Sequence, residues 1–349
     1  MSVLERIWFD ESLLARSARL VLAPPSWLYS SIVRMRGALF DRDLLLHVHG
    51  AALPVLSIGN LSVGGTGKTP LAAWAAERLR AAGARPAVLL RGYGGDEPLV
   101  HAALNPDIPV IAAPDRVAAA RQALAAGADC AILDDGFQHR RIARIADWVL
   151  VAAEQPPEPA RLLPAGPWRE PVSAIRRATV AIVTRKSASL EAASDVATRL
   201  TVAYGVECAV VHLTPSDVID AREQRAIGLG RLRGARVLMV TAIGAPAAFA
   251  TQLRELGVAE CDTMTFRDHH RFTEADVARI VHAAAHGDAV VCTLKDAVKL
   301  TPLWPRAALP LWYVSQRAEV ERGEQLLAAT LASVMSARAS STSTAGAAG

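Results

Sequence analysis

The sequence contains little cysteine and no long apolar run, and these absences exclude several classes of protein. Only four of its 349 residues are cysteines: Cys130, Cys208, Cys261 and Cys292. They lie far apart with no CxxC pair, so neither a zinc site nor a disulfide framework is indicated. No uncharged apolar stretch reaches the roughly 18 residues that a transmembrane helix needs. The early acidic residues Glu5, Asp10 and Glu11 are unlike a secretory signal, and we expect a cytoplasmic protein.

The composition is that of a globular chain with ample core material. Hydrophobic residues make up 52% and charged residues 21%, and the length suits about two domains. The mean hydropathy of +0.23 indicates that part of the surface is apolar. A net charge of +4 is compatible with anionic ligands or anionic lipid, but it identifies neither.

The most informative segment is glycine-rich and reads SIGNLSVGGTGKTP at residues 57–70. It follows an apolar run at 54–58 and precedes an alanine-rich helical pattern at 71–79, which is the strand–loop–helix context of a phosphate-binding P-loop. Ser62 stands where the G-x-x-x-x-G-K-[ST] template has its first glycine. A glycine-rich turn with an exposed lysine is the alternative interpretation. We predict that the segment binds a nucleoside triphosphate.

Each residue type in this P-loop has a physical use. The glycines let the backbone turn sharply and aim N–H groups at phosphate oxygens. Lys68 would supply a point charge near the β- and γ-phosphates, and the Thr69 hydroxyl would ligate Mg²⁺. The predicted nucleotide-binding residues are Gly64, Gly65, Thr66, Gly67, Lys68 and Thr69.

A pair of carboxylates follows an apolar strand in CAILDDGFQH, residues 130–139. Asp134 and Asp135 should therefore emerge at the carboxyl edge of the sheet, where a Walker-B acid holds Mg²⁺ directly or through water. Without the P-loop, an ordinary turn would explain this pair equally well.

Two loops carry candidate proton-transfer groups. Asp268 and His269 lie in FRDHHRFT just before a helix cap at Thr273, and a histidine oriented by a carboxylate can relay a proton. Asp96 lies in RGYGGDEP at 91–98, on a loop at the same sheet edge as the P-loop. Either loop could also be a turn without chemical role.

Residues 1–50 interleave arginines with aromatic and aliphatic residues and are interrupted by Pro24 and Pro25. This pattern suits a helix–turn–helix lying at a membrane interface. A helical cap packed on the core is an equally good interpretation of the residues alone.

From Pro54 onward the chain alternates apolar strands and helical segments, which is typical of a doubly wound parallel sheet. Strands are predicted at 86–90, 108–112, 130–133, 148–152, 179–183, 236–241, 289–293 and 311–314, with helices at 246–256 and 273–285. Two αβα units are expected, with a boundary within 205–230. Residues 336–349 have no apolar periodicity and are predicted to be a disordered tail.

Seven motifs occur in one order and resemble the tetraacyldisaccharide 4′-kinase family. They are the P-loop, RGYG, GDEP, LDDGFQH, LLPAGPWRE at 162–170, DHHRFT and KDAVKL at 295–300. The family shares the absence of the first P-loop glycine. The resemblance covers nearly the whole chain, up to about residue 320.

The resemblance implies phosphoryl transfer from ATP, with Mg²⁺, to the 4′-hydroxyl of a tetraacyldisaccharide 1-phosphate, giving lipid IV A. It implies a P-loop NTPase-like αβα core at 51–210, a smaller αβα domain with a two-stranded linker at 211–320 and a C-terminal helix at 321–335. Residues 1–50 would be membrane-interface helices, with residues 1–36 contacting the cytoplasmic face of the inner membrane. We expect a monomer and no nucleic-acid partner.

Carried onto this sequence, the resemblance makes Asp96 and His269 a dyad that deprotonates the sugar hydroxyl, with Lys68 on the phosphates. Because His269 lies in the second domain, domain closure would be needed to assemble the dyad. The expected metal residues are Thr69, Asp134, Asp135 and Glu170. Further active-site candidates are Arg91, Gln138, His139, Arg169 and Asp268.

The sequence departs from the family at two points and leaves one alternative function. RGYG and GDEP follow each other directly at 91–98, where many relatives have an insertion between them, and Leu294 stands where glutamate is frequent. The alternative is a P-loop GTPase or ATPase switch, or a metallocentre chaperone. No guanine-reading N-K-x-D motif is present, and TRKS at 184–187 is only the nearest candidate by position.

Overall fold

The computed structural model describes residues 3–44, 47–92, 95–155, 160–244 and 246–346. The helices are α1 (Val3–Phe9), α2 (Leu13–Val21), α3 (Ala23–Asp41), α4 (Lys68–Ala81), α5 (Glu97–Leu104), α6 (Arg116–Ala125), α7 (Leu190–Tyr204), α8 (Pro246–Glu255), α9 (Glu274–Ala283), α10 (Leu294–Leu300) and α11 (Glu324–Gly346). The strands are β1 (Val55–Asn60), β2 (Pro86–Leu90), β3 (Val110–Ala112), β4 (Cys130–Asp134), β5 (Ala146–Ala152), β6 (Val180–Arg185), β7 (Cys208–Asp220), β8 (Arg225–Ala226), β9 (Arg236–Thr241), β10 (Glu260–Thr265), β11 (Ala289–Thr293) and β12 (Leu311–Arg322).

The chain divides into two compact units. The small unit consists of Thr214–Arg317 and the described residues of 93–103, and the large unit contains the rest. The chain passes between the units on either side of the segment 93–103, within β7 and within β12.

The large unit is built on a parallel sheet with the strand order β7–β6–β5–β1–β4–β2–β3. Strands β1 and β4 are buried along their whole length, as expected for central strands covered on both faces. Leu56 and Ile58 of β1 pack in the hydrophobic cluster that includes α4, whereas Val55 packs in the cluster that includes α6. Helices therefore cover both faces, and the predicted doubly wound sheet is confirmed.

The small unit repeats this layered arrangement. Its strand order is β10–β9–β11–β12–β7, with β8 antiparallel to β7. Leu238 and Val240 of β9 share a hydrophobic cluster with Ile280 of α9, and the alternate residues Val237 and Met239 share another with α8. The expected second αβα layer is therefore present, since alternate side chains of one strand meet helices on opposite faces.

Helices α1, α2 and α3 form the N-terminal segment of the large unit. Pro24 and Pro25 lie in the first turn of α3, where proline's fixed φ suits the helix start. Trp8 Nε1 donates to the carbonyl oxygen of Pro164 and Ser26 Oγ donates to that of Leu162, both at 2.9 Å. Large apolar side chains of this segment remain exposed: Phe9, Leu13, Leu14, Leu20, Val21, Trp27, Leu28, Ile32 and Met35. In the described part of the chain, no helix combines the length and apolarity that crossing a membrane requires.

The structure differs from the sequence prediction in several places: β7 and β8 were not predicted, and β12 continues to Arg322 beyond the predicted 311–314. The edge strand β10 has no predicted counterpart, because its mostly exposed residues ECDTMT contain no apolar run. Helix α11 continues to Gly346 through most of the predicted disordered tail, where alanine favours helix; residues 347–349 lie outside the described chain. The described residues of 93–103 belong to the small unit, although the prediction placed them in the 51–210 domain.

Candidate functional site

The P-loop connects β1 to α4 at the carboxyl edge of the large unit's sheet. Gly64 and Gly67 have φ values of +126° and +85°, which L side chains rarely adopt. A Cβ atom at Gly67 would also overlap Leu213 Cδ1, so this position requires glycine for space as well as for conformation. The predicted glycines thus shape a turn whose last residue is the N-cap of α4.

Hydrogen bonds from neighbouring strands hold the loop in place. Asn60 Nδ2 donates to Thr66 Oγ1, and Thr184 Oγ1 of β6 donates to the Thr66 carbonyl oxygen, both at 2.9 Å. Lys186 Nζ donates to the Gly65 carbonyl oxygen at 2.9 Å. The loop is therefore fixed before any ligand arrives, with α4 directly behind it.

Lys68 and Thr69, the first two residues of α4, reach the acidic end of β4. Thr69 Oγ1 donates to Asp134 Oδ2 at 3.1 Å, and Lys68 Nζ lies 3.5 Å from Asp135 Oδ1. These contacts form because β1 pairs directly with β4, which brings the loop after one strand beside the carboxylates after the other. The structure therefore places the predicted lysine, threonine and aspartates together.

Asp135 also binds Arg169, whose Nη1 donates to both carboxylate oxygens at 3.0 and 2.9 Å. Burial alone would raise the pKa of Asp135, but the charges of Lys68 and Arg169 outweigh it and hold the pKa below its usual value. The carboxylate is therefore ionised at neutral pH. Its backbone φ of +53° is uncommon for a residue other than glycine and is stabilised by this ion-pair network.

Glu170 lies next to Arg169 in sequence but faces another partner. Its Oε2 accepts from Arg177 at 2.8 Å, while its buried Oε1 has no hydrogen-bond partner among the described residues. The assignment of Glu170 to a metal remains a prediction. In the described chain, no group of three or more His, Cys, Asp or Glu side chains forms a ready-made metal cage.

Gln138 and His139 lie beside the same sheet edge. Gln138 Nε2 donates to the Asn60 carbonyl oxygen at 2.8 Å and so supports the start of the P-loop. Burial, assisted by the charges of Arg116 and Arg91, lowers the pKa of His139 to about 4. His139 is therefore neutral at physiological pH and adds no positive charge beside Arg116 and Arg91.

The second group of candidate residues lies in the small unit. Asp96 is only 2% exposed, and His269 Nδ1 lies 3.4 Å from Asp96 Oδ2. Both residues belong to the same compact unit, so the expectation that domain closure assembles this pair is wrong. The pair is already formed, because the segment carrying Asp96 is held against the cations of the small unit.

The loop around His269 separates two adjacent histidines into different environments. His269 has a φ of +58°, and its backbone N–H donates to Asp268 Oδ1 at 3.0 Å. His270 instead contacts Asp276 Oδ2 at 3.0 Å and stacks on Phe266 with the ring centroids 4.8 Å apart. His270 thus supports the loop, whereas His269 faces Asp96.

Sequence reasoning missed two lysines beside this pair. Lys295 Nζ lies 3.1 Å from His269 Nε2 and 3.8 Å from Asp96 Oδ2, and Lys299 Nζ lies 4.0 Å from Asp96 Oδ2. The KDAVKL motif contains both, and their i, i+4 spacing would have placed them on one helix face. Nothing in the sequence alone indicates which face that is.

Comparisons with known proteins agree on one family. A family model described as Tetraacyldisaccharide-1-P 4'-kinase matches residues 18–96 and 94–336. A tetraacyldisaccharide 4'-kinase of Anaeromyxobacter sp. (strain Fw109-5) is 40% identical over 361 residues, covering 95% of this chain and 96% of the relative. One of Halorhodospira halophila is 36% identical over 92% of this chain and 94% of the relative.

A solved structure has the same fold. It is the "apo" form of LpxK from Aquifex aeolicus in complex with ATP, which is 27% identical in sequence and superimposes with a TM-score of 0.72. The alignment covers 91% of this chain and 99% of that one.

Proposed function

This chain belongs to the tetraacyldisaccharide-1-P 4'-kinase family, and on that premise we propose how its own residues transfer phosphate to the lipid. The protein is a kinase acting on the 4′-hydroxyl of a tetraacyldisaccharide 1-phosphate, with ATP as the donor. The residue-level proposal rests on one observation: Lys68 and Thr69, at the end of the P-loop, are in contact with Asp135 and Asp134.

ATP would bind with its phosphates on the P-loop. The backbone N–H groups of the loop and the N-terminus of α4 attract the phosphate oxygens. Lys68 would leave Asp135 to meet the β- and γ-phosphates, and Arg169 would keep Asp135 paired when it does so. This exchange leaves Asp135 paired with a cation.

A magnesium ion fits the oxygen atoms beside Lys68. The Thr69 hydroxyl and the Asp134 carboxylate lie 3.1 Å apart, and Mg²⁺ takes such hard oxygen ligands together with water and phosphate oxygens. Thr69 and Asp134 would hold the ion, with Asp135 and Glu170 supporting the site. When bound, the ion would neutralise charge on the β- and γ-phosphate oxygens.

The proton of the acceptor hydroxyl would go to the Asp96–His269 pair. As the 4′-oxygen forms its bond to the γ-phosphorus, the bond from that phosphorus to the bridging oxygen breaks and ADP leaves. The buried Asp96 carboxylate makes no hydrogen bond to any described residue through either oxygen, so it keeps lone pairs available for a proton. His269 orients the carboxylate and shares the proton.

The lipid acceptor would reach the enzyme from a membrane surface. Exposed apolar side chains on α2 and α3 suit contact with the cytoplasmic face of the inner membrane. A groove of about 730 Å³ between these helices and residues 160–165 is lined by Arg34 and Arg161, by Arg16 paired with Glu11 at 2.8 Å, and by apolar residues. Arginine beside apolar surface suits a phosphorylated, acylated sugar. We expect the enzyme to act as a peripheral monomer.

The test is transfer of ³²P from [γ-³²P]ATP to tetraacyldisaccharide 1-phosphate in detergent micelles with Mg²⁺. Lys68→Ala should abolish labelling. Asp96→Ala and His269→Ala should each lose about 10²–10⁴-fold in kcat while binding ATP normally, and the double variant should be little worse than either.

The matched control is His282→Ala, because His282 is an exposed histidine on α9 of the same unit. It should behave like the wild type. Fully additive losses at Asp96 and His269 would argue against a dyad. Nucleotide hydrolysis without labelled lipid would instead favour a switch protein.

A further inference from the structure

Helix α3 carries exposed apolar side chains on one face and contacts to the P-loop region on a neighbouring face. Leu28, Ile32 and Met35 recur at i, i+4 and i+7, and all three are exposed. Tyr29 and Arg36 lie seven residues apart, which is two helical turns, so they also share a face. Successive residues of a helix are about 100° apart, which separates this second face from the first.

Tyr29 holds the backbone of Arg169. Its Oη donates to the Arg169 carbonyl oxygen at 2.9 Å, and the Arg169 N–H donates to the Leu61 carbonyl oxygen at 2.7 Å. Burial, assisted by the charge of Glu170, raises the pKa of Tyr29 above its ordinary value, so the hydroxyl keeps its proton and donates at neutral pH. Both backbone polar groups of Arg169 are therefore fixed, and its side chain starts from a fixed point.

The position of Arg169 matters because Asp135 has two cations beside it. Arg169 Nη1 donates to both carboxylate oxygens at 3.0 and 2.9 Å, whereas Lys68 Nζ lies 3.5 Å from Oδ1. With Arg169 in place, Asp135 stays neutralised when Lys68 turns to a phosphate. If Arg169 were displaced, Asp135 would compete with the phosphates for the Lys68 ammonium.

Arg36 makes the second contact from α3, to the loop after β4. Its Nη2 donates to the Gln138 carbonyl oxygen at 2.8 Å, and Gln138 Nε2 donates to the Asn60 carbonyl oxygen at 2.8 Å. The Cζ atoms of Arg36 and Arg140 lie 5.3 and 5.0 Å from the centroid of the buried Phe40 ring. These cation–π contacts hold Arg36 against the loop and thereby connect α3 to the start of the P-loop.

We propose that Tyr29 and Arg36 are positioning residues of the ATP site. Tyr29 keeps Arg169 paired with Asp135, and Arg36 keeps Gln138 against the start of the P-loop. Helix α3 therefore takes part in nucleotide binding, apart from any contact that it makes with a membrane. This inference rests on the proposed binding of ATP to the P-loop.

The first test measures ATP binding by isothermal titration with Mg²⁺ and without lipid. Tyr29→Phe removes one hydroxyl group and keeps the ring, and we expect it to weaken ATP binding about fivefold. In an Arg169→Met background the same change should weaken binding by less than about twofold, because the group through which Tyr29 acts is gone. Equal losses in the two backgrounds, or no loss in the wild-type background, would refute the role of Tyr29.

The matched control is Tyr204→Phe, the same change on α7 of the same unit. Arg176 lies 5.5 Å from the centroid of the Tyr204 ring, and phenylalanine keeps that contact. Tyr204→Phe should bind ATP like the wild type, and a loss as large as that of Tyr29→Phe would contradict the proposal. Tyr29→Phe should also sediment with anionic vesicles like the wild type, since its hydroxyl contacts Arg169; weaker sedimentation would assign the hydroxyl to the membrane instead.

The second test concerns Arg36. Gln138→Ala keeps the backbone carbonyl that Arg36 contacts but removes the amide that reaches Asn60. We expect Arg36→Met to weaken ATP binding about fivefold in the wild type and less than about twofold in the Gln138→Ala background. Arg42→Met, at the exposed C-cap of the same helix, controls for the lost charge and should bind ATP normally. An undiminished loss in the Gln138→Ala background would refute the role of Arg36.

Both tests use ATP without lipid, so they are independent of the lipid-labelling assay. If Tyr29→Phe and Arg36→Met bind ATP normally while the wild type labels lipid, only the role of α3 fails. If both couplings are found but no lipid is labelled, the result counts against the proposed transfer reaction alone.

Discussion

The exposed apolar side chains of α2 make a quantitative prediction about membrane binding. Leu13 and Leu14 are 82% and 83% exposed, so contact with lipid could bury most of each. Burying a leucine side chain contributes about 2 kcal/mol, and the exposed parts of the pair together contribute about 3 kcal/mol. Replacing both with glutamine, which has a similar helix propensity, should therefore weaken partitioning into vesicles by ~100-fold.

The assay is co-sedimentation with vesicles containing anionic phospholipid, at fixed ionic strength. The control is Val202→Gln, because Val202 on α7 is also 82% exposed and belongs to the same unit but not to the N-terminal segment. Circular dichroism and ATP binding should be unchanged in both variants. The reasoning is refuted if Leu13→Gln/Leu14→Gln partitions like the wild type, or if Val202→Gln loses as much binding.

Three further predictions concern the large unit. The pKa of His139 lies at about 4, below the ordinary value of about 6.5, so the unfolded chain binds this proton first. The contribution of the neutral His139 side chain to the free energy of unfolding is therefore complete above about pH 6.5. It is lost as the pH falls to about 4, by at most about 3 kcal/mol. Urea unfolding of His139→Gln should lack this pH dependence. Gly67→Ala should abolish ATP binding. Its control is Gly83→Ala, because Gly83 has a similar φ of +87° but open space around it. Gly83→Ala should lower the free energy of unfolding in urea by only about 1 kcal/mol. Thr184→Val leaves the Thr66 carbonyl oxygen without its donor, and isothermal titration should show about tenfold weaker ATP binding, with unaltered affinity counting against a preformed loop.

Local patterns predicted most of the sheet and the P-loop. The strands at 86–90, 236–241 and 289–293 have the predicted bounds, because buried parallel strands are continuous apolar runs. The edge strand β10 escaped prediction because an exposed edge needs no such run. Pro24 and Pro25 were predicted only to interrupt the helical pattern, whereas they lie in the first turn of α3, where proline's fixed φ suits the helix start.

Only part of the candidate site could be predicted from local sequence patterns. Lys68, Thr69 and the aspartates at the end of β4 could be predicted to meet, because parallel strands bring their carboxyl ends to one edge. Arg169 was suggested only by resemblance, and its two bonds to Asp135 come from a distant loop. No local pattern in the sequence indicated that Lys295 and Lys299 lie beside Asp96.

By itself, the sequence determined the features that depend on neighbours along the chain: the glycine turn, the strand periodicity and the acidic strand end. Only the tertiary structure decided that Asp96 and His269 share one unit, that His269 and not His270 faces the carboxylate, and that two lysines surround it. The physical reason is that burial and charge pairing among residues far apart in sequence depend on how the segments pack, which no local pattern records.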